Sequence, residues 1–236
     1  MKLLSIVIPI YNEEEILETE VKSIINEMNN RKFEKYEIFL VENGSTDNTK
    51  NIAKELSEDF QNIKMISLKT SNYGRAIKDG ILRCNGDNVA IFNIDFWDVD
   101  FLITSINYLL SGESDIVLGS KVMSESEDTR SLLRRFITKN FNLFLKLFFD
   151  SGGVDTHGLK LFRKNIIINI VKKCITDREL FDTEFILRSQ MGGLRIKEIP
   201  VICEEKRKST TGVLARVPST IIDIVRLFYN IKIKYE

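Results

Sequence analysis

Histidine occurs once in the 236 residues, at position 157. That scarcity excludes multi-histidine metal centres and obliges any histidine-dependent triad to run through His157. Cysteine occurs at 84, 174 and 203 only, widely separated and without a C-x-x-C pair. An odd, scattered set makes no disulfide framework and reads as the reduced thiols of a cytosolic protein. No apolar run approaches the roughly 18 residues that a membrane span requires. The apolar start, Leu3–Pro9, is short, runs into Asn12-Glu13-Glu14-Glu15 and lacks a small-residue cleavage site, so it reads as a buried first strand and not as a signal peptide. Net charge is lacking too: 34 Lys and Arg balance 34 Asp and Glu, which argues against a general nucleic-acid binder.

What is present is an ordinary globular composition, 43% hydrophobic, long enough for one sizeable core. Short β-branched runs at Leu3–Pro9, Tyr36–Val41, Ile63–Leu68, Asn88–Ile94 and Asp115–Ser120 alternate with helical periodicity at 13–29, 46–60, 73–83 and 99–111. Alternation at this spacing predicts crossover units and a parallel sheet covered on both faces. Downstream, a polar loop at 121–129, an apolar segment with basic residues at 132–149 and a loop at 150–155 are expected. A strand near 158–163, helices near 164–175 and 181–191, a strand near 194–202 and a last helix after Pro218 follow. No repeat or linker divides the chain, so it reads as one domain.

Ligands of such sheets bind at the carboxyl ends of the strands, which directs attention to the residues just after each one. Glu42-Asn43-Gly44-Ser45-Thr46-Asp47 reads as a strand end, turn and helix cap, with Glu42 in excess of what capping needs. Asn93-Ile94-Asp95 ends the fourth strand. Asp98 and Asp100 read as capping residues of the next helix, whereas Asp95 falls where one or two protein oxygens hold a Mg²⁺ or Mn²⁺ against a diphosphate.

Taken in order, Val7-Ile8-Pro9-Ile10-Tyr11-Asn12-Glu13, Glu42–Asp47, Asn72-Tyr73-Gly74-Arg75-Ala76 and Asn93-Ile94-Asp95 resemble the family 2 glycosyltransferases, in the branch of the dolichyl-phosphate mannose and glucose synthases. Gly119-Ser120-Lys121, Arg135 with Asn140, Asp155–Arg163, Phe181-Asp182-Thr183-Glu184 and Arg195–Val201 extend the resemblance to about residue 210. It implies a GT-A α/β fold with a mostly parallel sheet, residues 1–212 forming the transferase domain and 213–236 an amphipathic C-terminal helix. It further implies inverting transfer from a nucleotide-sugar donor. Pro9, Tyr11, Glu13, Val41, Glu42, Asn43 and Arg75 are then the nucleotide-binding residues, and Asp95 with Asn93 holds the divalent metal. Asp155 and Glu184 join Asp95 as catalytic candidates, and Arg135 and Arg207 approach the acceptor phosphate. The chain departs from the family at Glu42-Asn43, where Asp-Asp is usual, and at Asn93-Ile94-Asp95-Phe96-Trp97, where Asp-x-Asp-x-Gln is usual. Asn93 keeps an oxygen but loses a charge, and Trp97 removes an amide ligand.

The acceptor divides the readings. A hydroxyl acceptor on a glycan needs a base, for which Asp155, Asp182 and Glu184 are the candidates; a polyprenyl phosphate is already ionised and needs none. His157 stands beside them, either as a loop residue or at the acceptor. Residues 130–150 carry five basic and one acidic side chain, and 195–235 carry nine and four. Both segments are apolar as well, which suits the surface of an anionic membrane and a peripheral location at its cytoplasmic face. Packing on the domain or in a homodimer is the other use of the last helix. A catalytically silent nucleotide-sugar binder is the reading from a different class.

Overall fold

The computed structural model describes residues 3–121, 123, 135–136, 139–140, 143, 146, 154–178, 180–202 and 223–230. Seven strands, β1 (Leu4–Ile10), β2 (Tyr36–Asn43), β3 (Ile63–Leu68), β4 (Asn88–Ile91), β5 (Ile116–Ser120), β6 (Leu159–Arg163) and β7 (Ile196–Pro200), form one sheet in the order β3-β2-β1-β4-β6-β5-β7. β1 to β4 pair in parallel, as do β5 and β7. β6 runs antiparallel to both of its neighbours. The α/β architecture and nearly every expected element are therefore present, and the reversal of β6 is the feature that the strand pattern did not announce.

Both faces of the sheet are buried, which is why the strands read as unbroken apolar runs. Ile6, Ile8 and Ile10 turn to the face covered by α1 (Leu17–Asn30), α2 (Thr49–Asp59) and α4 (Val99–Leu110), and pack with Leu17, Val21, Ile24 and Met28. Val7, Val41, Ile91 and Phe162 turn to the other face. There α3 (Tyr73–Arg83), α5 (Lys164–Lys173) and α6 (Phe181–Met191) supply Ile77, Ile81, Val171, Phe181 and Phe185.

Two elements end differently from the sequence expectation. α1 begins at Leu17, not near residue 13, because Asn12 takes a left-handed conformation (φ 53°) and the Glu13 N–H donates to Thr49 Oγ1 at 2.7 Å. β4 stops at Ile91, since Asn93 and Phe96 exchange backbone hydrogen bonds of 3.1 and 3.0 Å and close a tight turn.

Close approach of two backbones explains the start of β6. A Cβ on Gly158 would lie 1.8 Å from the Gly119 carbonyl oxygen, so only glycine lets β6 enter beside the end of β5. Gly74 plays the same part for α3: its Cβ would lie 2.5 Å from Phe181 Cβ, and this absence of bulk seats the first turn of α3 against α6.

At the opposite edge of the sheet Glu37 ties three elements together. Ser5 Oγ and the Asn85 N–H each donate to Oε1 at 2.6 Å, and Lys64 Nζ and Asn85 Nδ2 donate to Oε2 at 2.8 and 3.1 Å. Burial alone would raise its pKa, but these donors, Lys64 foremost, hold it down at about 2 from 4.5. A depressed carboxylate stabilises the fold fully above pH 4.5, and that stabilisation is lost as pH falls towards 2. Over this window it amounts to about 3 kcal/mol. Urea denaturation between pH 6 and 2.5 should therefore show a midpoint that falls more steeply for the native chain than for Glu37→Gln, which has no carboxylate to protonate.

Candidate active site

The carboxyl ends of β1, β2 and β4, the N-terminus of α3 and the loop entering β6 share one edge of the sheet. Reciprocal side-chain bonds join the first two loops there. Asn12 Oδ1 accepts the Thr46 N–H at 2.9 Å, the Asn12 N–H donates to Ser45 Oγ at 3.1 Å, and Glu14 Oε2 accepts the Asn48 N–H at 2.8 Å. The Glu14 N–H donates to Asp47, whose acidity burial would lower, but the donors Thr49 and Glu14 hold its pKa below the ordinary value. Tyr11 stands above these loops, 40% exposed, with Pro9 buried beneath it in β1. Glu13 is buried at the same loop.

Several nucleotide-binding candidates act differently from the expectation. Val41 is fully buried in the core under α3, so its side chain does not reach the site surface. Glu42 is also buried: it accepts the Ser45 N–H at 2.5 Å and the Ser67 hydroxyl at 2.7 Å, and thereby shapes the Gly44-Ser45 turn. Asn43 accepts the Asn72 N–H at 2.6 Å, tying β2 to the N-cap of α3. Arg75 pairs along its own helix with Asp79 at 3.1 Å.

Asn93 and Asp95 sit on the tight turn after β4, both partly exposed. No described side chain pairs with the Asp95 carboxylate, so both of its oxygens remain open to a cation. Trp97 points elsewhere, its indole donating to Glu20 on α1 at 2.7 Å. Asp98 caps α4 through the Phe101 N–H at 3.1 Å, as its position suggested, while Asp100 makes an exposed ion pair with Arg31.

The acceptor-side carboxylates are committed. Glu184, fully buried, accepts the Ile175 and Thr176 N–H groups, the Thr176 hydroxyl at 2.6 Å and Arg188 Nε at 2.7 Å. It pins the loop between α5 and α6, and these bonds engage both of its oxygens. Asp155, likewise buried, accepts the Lys121 N–H at 3.0 Å and the His157 N–H at 3.2 Å. Burial pushes its pKa up, but Lys121 and His157 more than offset this and hold it low, which makes it a poor base. Asp182 faces Lys160: Nζ lies 3.2 Å from Oδ1 and donates at 2.9 Å to the Gly158 carbonyl. Burial lowers the His157 pKa against the pull of Asp182, so the ring is neutral at pH 7. Lys121 Nζ donates to the His157 carbonyl at 2.8 Å and stands 5.1 Å from the Phe96 ring centroid, next to Asp95.

Lys160 and Tyr73 are the members of this site that reasoning from residues overlooked. Alternation along Leu159-Lys160-Leu161-Phe162 puts Lys160 on the same buried face as Phe162, and a lysine there demands a buried counter-ion. Arg135 is exposed on a helical stretch, and Arg207 lies outside the described residues. Removing charge from Glu184 without changing its shape should expose its structural role. Glu184→Gln leaves Arg188 and the loop donors facing an amide, which costs about 3 kcal/mol; a melting-temperature drop with unchanged affinity for nucleotide is the expected result.

The sequence matches the model of glycosyl transferase family 2 over residues 5–171. It is 25% identical to the glycosyltransferase AglD of Haloferax volcanii over 98% of this chain and 38% of that one. It is 29% identical to a dolichyl-phosphate β-glucosyltransferase, ALG5A, of Trichomonas vaginalis over 84% of this chain and 64% of that one. The chain thus spans less than two thirds of the length of these two relatives. Among solved structures, the glucosyl-3-phosphoglycerate synthase of Mycobacterium tuberculosis, in complex with Mn²⁺, UDP and glucosyl-3-phosphoglycerate, superimposes with a TM-score of 0.67. That match has 15% identity and covers 97% of this chain and 79% of that one. The fold is accordingly the GT-A fold, and the chain belongs to glycosyl transferase family 2.

Proposed function

We propose that this chain transfers a sugar, with inversion, from a nucleotide-sugar to a polyprenyl phosphate of the dolichyl type, using a divalent metal. The observation that carries the reading is the contrast between Asp95, open at the end of β4, and the carboxylates across from it, all of which are occupied by other groups. A hydroxyl acceptor would need one of those carboxylates as a base, whereas a phosphate monoester attacks as the anion it already is. The names of the dolichyl-phosphate glucosyltransferase relatives support the same acceptor class.

Asp95 and the Asn93 amide oxygen are hard donors suited to Mg²⁺ or Mn²⁺. No cluster of three or more metal-binding side chains occurs among the described residues, which fits an ion that takes its remaining ligands from the diphosphate and water. When bound, the ion neutralises charge that builds on the departing diphosphate. The protein's own contribution is placement. The knitted β1–α1 and β2–α2 loops and the Asn43–Asn72 bond fix the nucleotide floor, and Lys121 brings a positive charge beside the Asp95 turn.

Exposed side chains support a membrane surface as the meeting place. Arg135, Lys139 and Lys146 are exposed on helical residues that also expose Phe136 and Leu143, 65% and 53%. Residues 223–230 are helical too: Leu227 is buried, whereas Val225 and Tyr229 are exposed beside Arg226. No helix among the described residues is long and apolar enough to cross a membrane. A peripheral mode, at the cytoplasmic face, is the reading that these residues favour.

Incubation with radiolabelled UDP-glucose or GDP-mannose, Mn²⁺ and a polyprenyl phosphate should yield a lipid-extractable sugar phosphate. Asp95→Ala should lower the rate by at least about 100-fold without lowering the melting temperature; transfer at the native rate by that variant would overturn the assignment. Flotation with phosphatidylserine-containing vesicles tests the surface. Each basic side chain near such a surface contributes about 1 kcal/mol, so the triple Arg135→Ala, Lys139→Ala, Lys146→Ala variant should lose on the order of 100-fold in partitioning at low salt.

A further inference from the structure

A buried line of polar groups runs from the interior to the Asp95 turn. Lys160 on β6 and Asp182 on α6, each 1% exposed, form an ion pair at 3.2 Å. The Tyr73 hydroxyl, in the first turn of α3, lies 3.1 Å from Asp182 Oδ2 and 3.4 Å from Asn93 Oδ1. Asn93 closes the turn that carries Asp95. Three elements remote in sequence thus converge on one amide. The tight seat of Gly74 against Phe181 is what brings Tyr73 to α6.

A phenol has one proton to donate. Between Asp182 and Asn93, Asp182 is nearer and charged, and a charge-assisted bond is about twice as strong as a neutral one. The proton therefore belongs to Asp182, and the phenolic oxygen turns lone pairs toward Asn93. An amide oxygen there would set lone pair against lone pair. A half-turn of the amide places Nδ2, a donor, on Tyr73 instead and frees the carbonyl oxygen for the other side.

We propose that Tyr73, oriented by the Lys160–Asp182 pair, is a positioning residue that holds the Asn93 amide with its nitrogen on the phenol and its oxygen available, with Asp95, to a divalent cation. The inference rests on the metal-dependent transferase reading. It also explains how an asparagine serves where the family usually has an aspartate: a carboxylate presents oxygen on both sides, whereas an amide must be turned the right way. Outer-shell hydrogen bonds of this kind tune metal sites by roughly 10- to 100-fold in affinity.

The test is a double-mutant cycle read by binding. Mn²⁺ is titrated by electron paramagnetic resonance in the presence of saturating UDP or GDP, for the native chain, Tyr73→Phe, Asn93→Asp and the double variant. Tyr73→Phe should weaken Mn²⁺ about tenfold while leaving metal-free nucleotide affinity unchanged. In the Asn93→Asp background the same change should have less than about a twofold effect, because the carboxylate needs no orientation. The melting temperature of each variant, read alongside the titration, separates a folding defect from a loss of metal affinity. An equal loss in both backgrounds, or no loss in the native one, overturns the positioning role alone. Absence of any Mn²⁺-dependent nucleotide binding by the native chain overturns the transferase reading and the inference with it.

Discussion

Two opposite charges without access to water, Lys160 and Asp182, lie where the two halves of the sheet meet. Removing ions from water is expensive, and an isolated member of such a pair would unfold its surroundings. The pair therefore holds only if β6 and α6 arrive together, and they do so under tight steric terms. Gly158 lets β6 lie against Gly119, and Gly74 lets α3 lie against Phe181. Each member has one further partner: Lys160 donates to the Gly158 carbonyl, and Asp182 accepts from the Tyr73 hydroxyl. The ion pair adds little net stability by its charges, but it makes one arrangement of three elements far better than its alternatives.

The donor side is organised by a different principle. Its loops after β1 and β2 hold the acidic Glu13, Glu14, Glu15 and Asp47 without a basic residue, and short amide, hydroxyl and carboxylate contacts knit them, such as Asn12 with Thr46, Glu42 with Ser45 and Asn43 with Asn72. Side chains that a family pattern would assign to the ligand are instead holding backbone in place. On the proposed function, such a site offers a nucleotide a floor of backbone and small polar groups, with Tyr11 exposed beside it. Preorganisation of this kind stabilises charge in the transition state without reorganising protein dipoles during the reaction.

Most of the architecture was legible because a sheet covered on both faces prints itself as apolar runs, and Leu4–Ile10 or Ile116–Ser120 hardly read otherwise. The direction of β6 was not legible, since alternation along a strand is the same in either sense. The end of β4 was overestimated because Phe92, Ile94 and Phe96 are buried like strand residues although the backbone has already turned. Asp95 was expected at the carboxyl end of the fourth strand, and it lies on the turn that follows β4. The surroundings of Glu184 were not legible, because an acid in the first turn of a helix looks alike in sequence whether it faces a cleft or the loop behind it; here the Ile175 and Thr176 amides donate to it. The role of Tyr73 leaves no local trace in Asn72–Ala76, because its hydroxyl bonds Asp182, which is remote in sequence.

The reversal of β6 has a consequence for how such a protein can diversify. Because β5 runs out to the carboxyl edge and β6 starts from it, Lys121 and Val154 stand at the same rim of the sheet. The described ends of the intervening stretch therefore both lie on the side of the sheet that carries the Asp95 turn, where Lys121 stands 5.1 Å from the Phe96 ring centroid. The loops after β1 and β2 are held by bonds of their own, such as Asn12 with Thr46 and Asn43 with Asn72, so a change of length between those ends leaves these contacts intact. The molecule thus joins a half fixed by parallel strands to a reversed strand that is seated by the tight approach of Gly158 to Gly119.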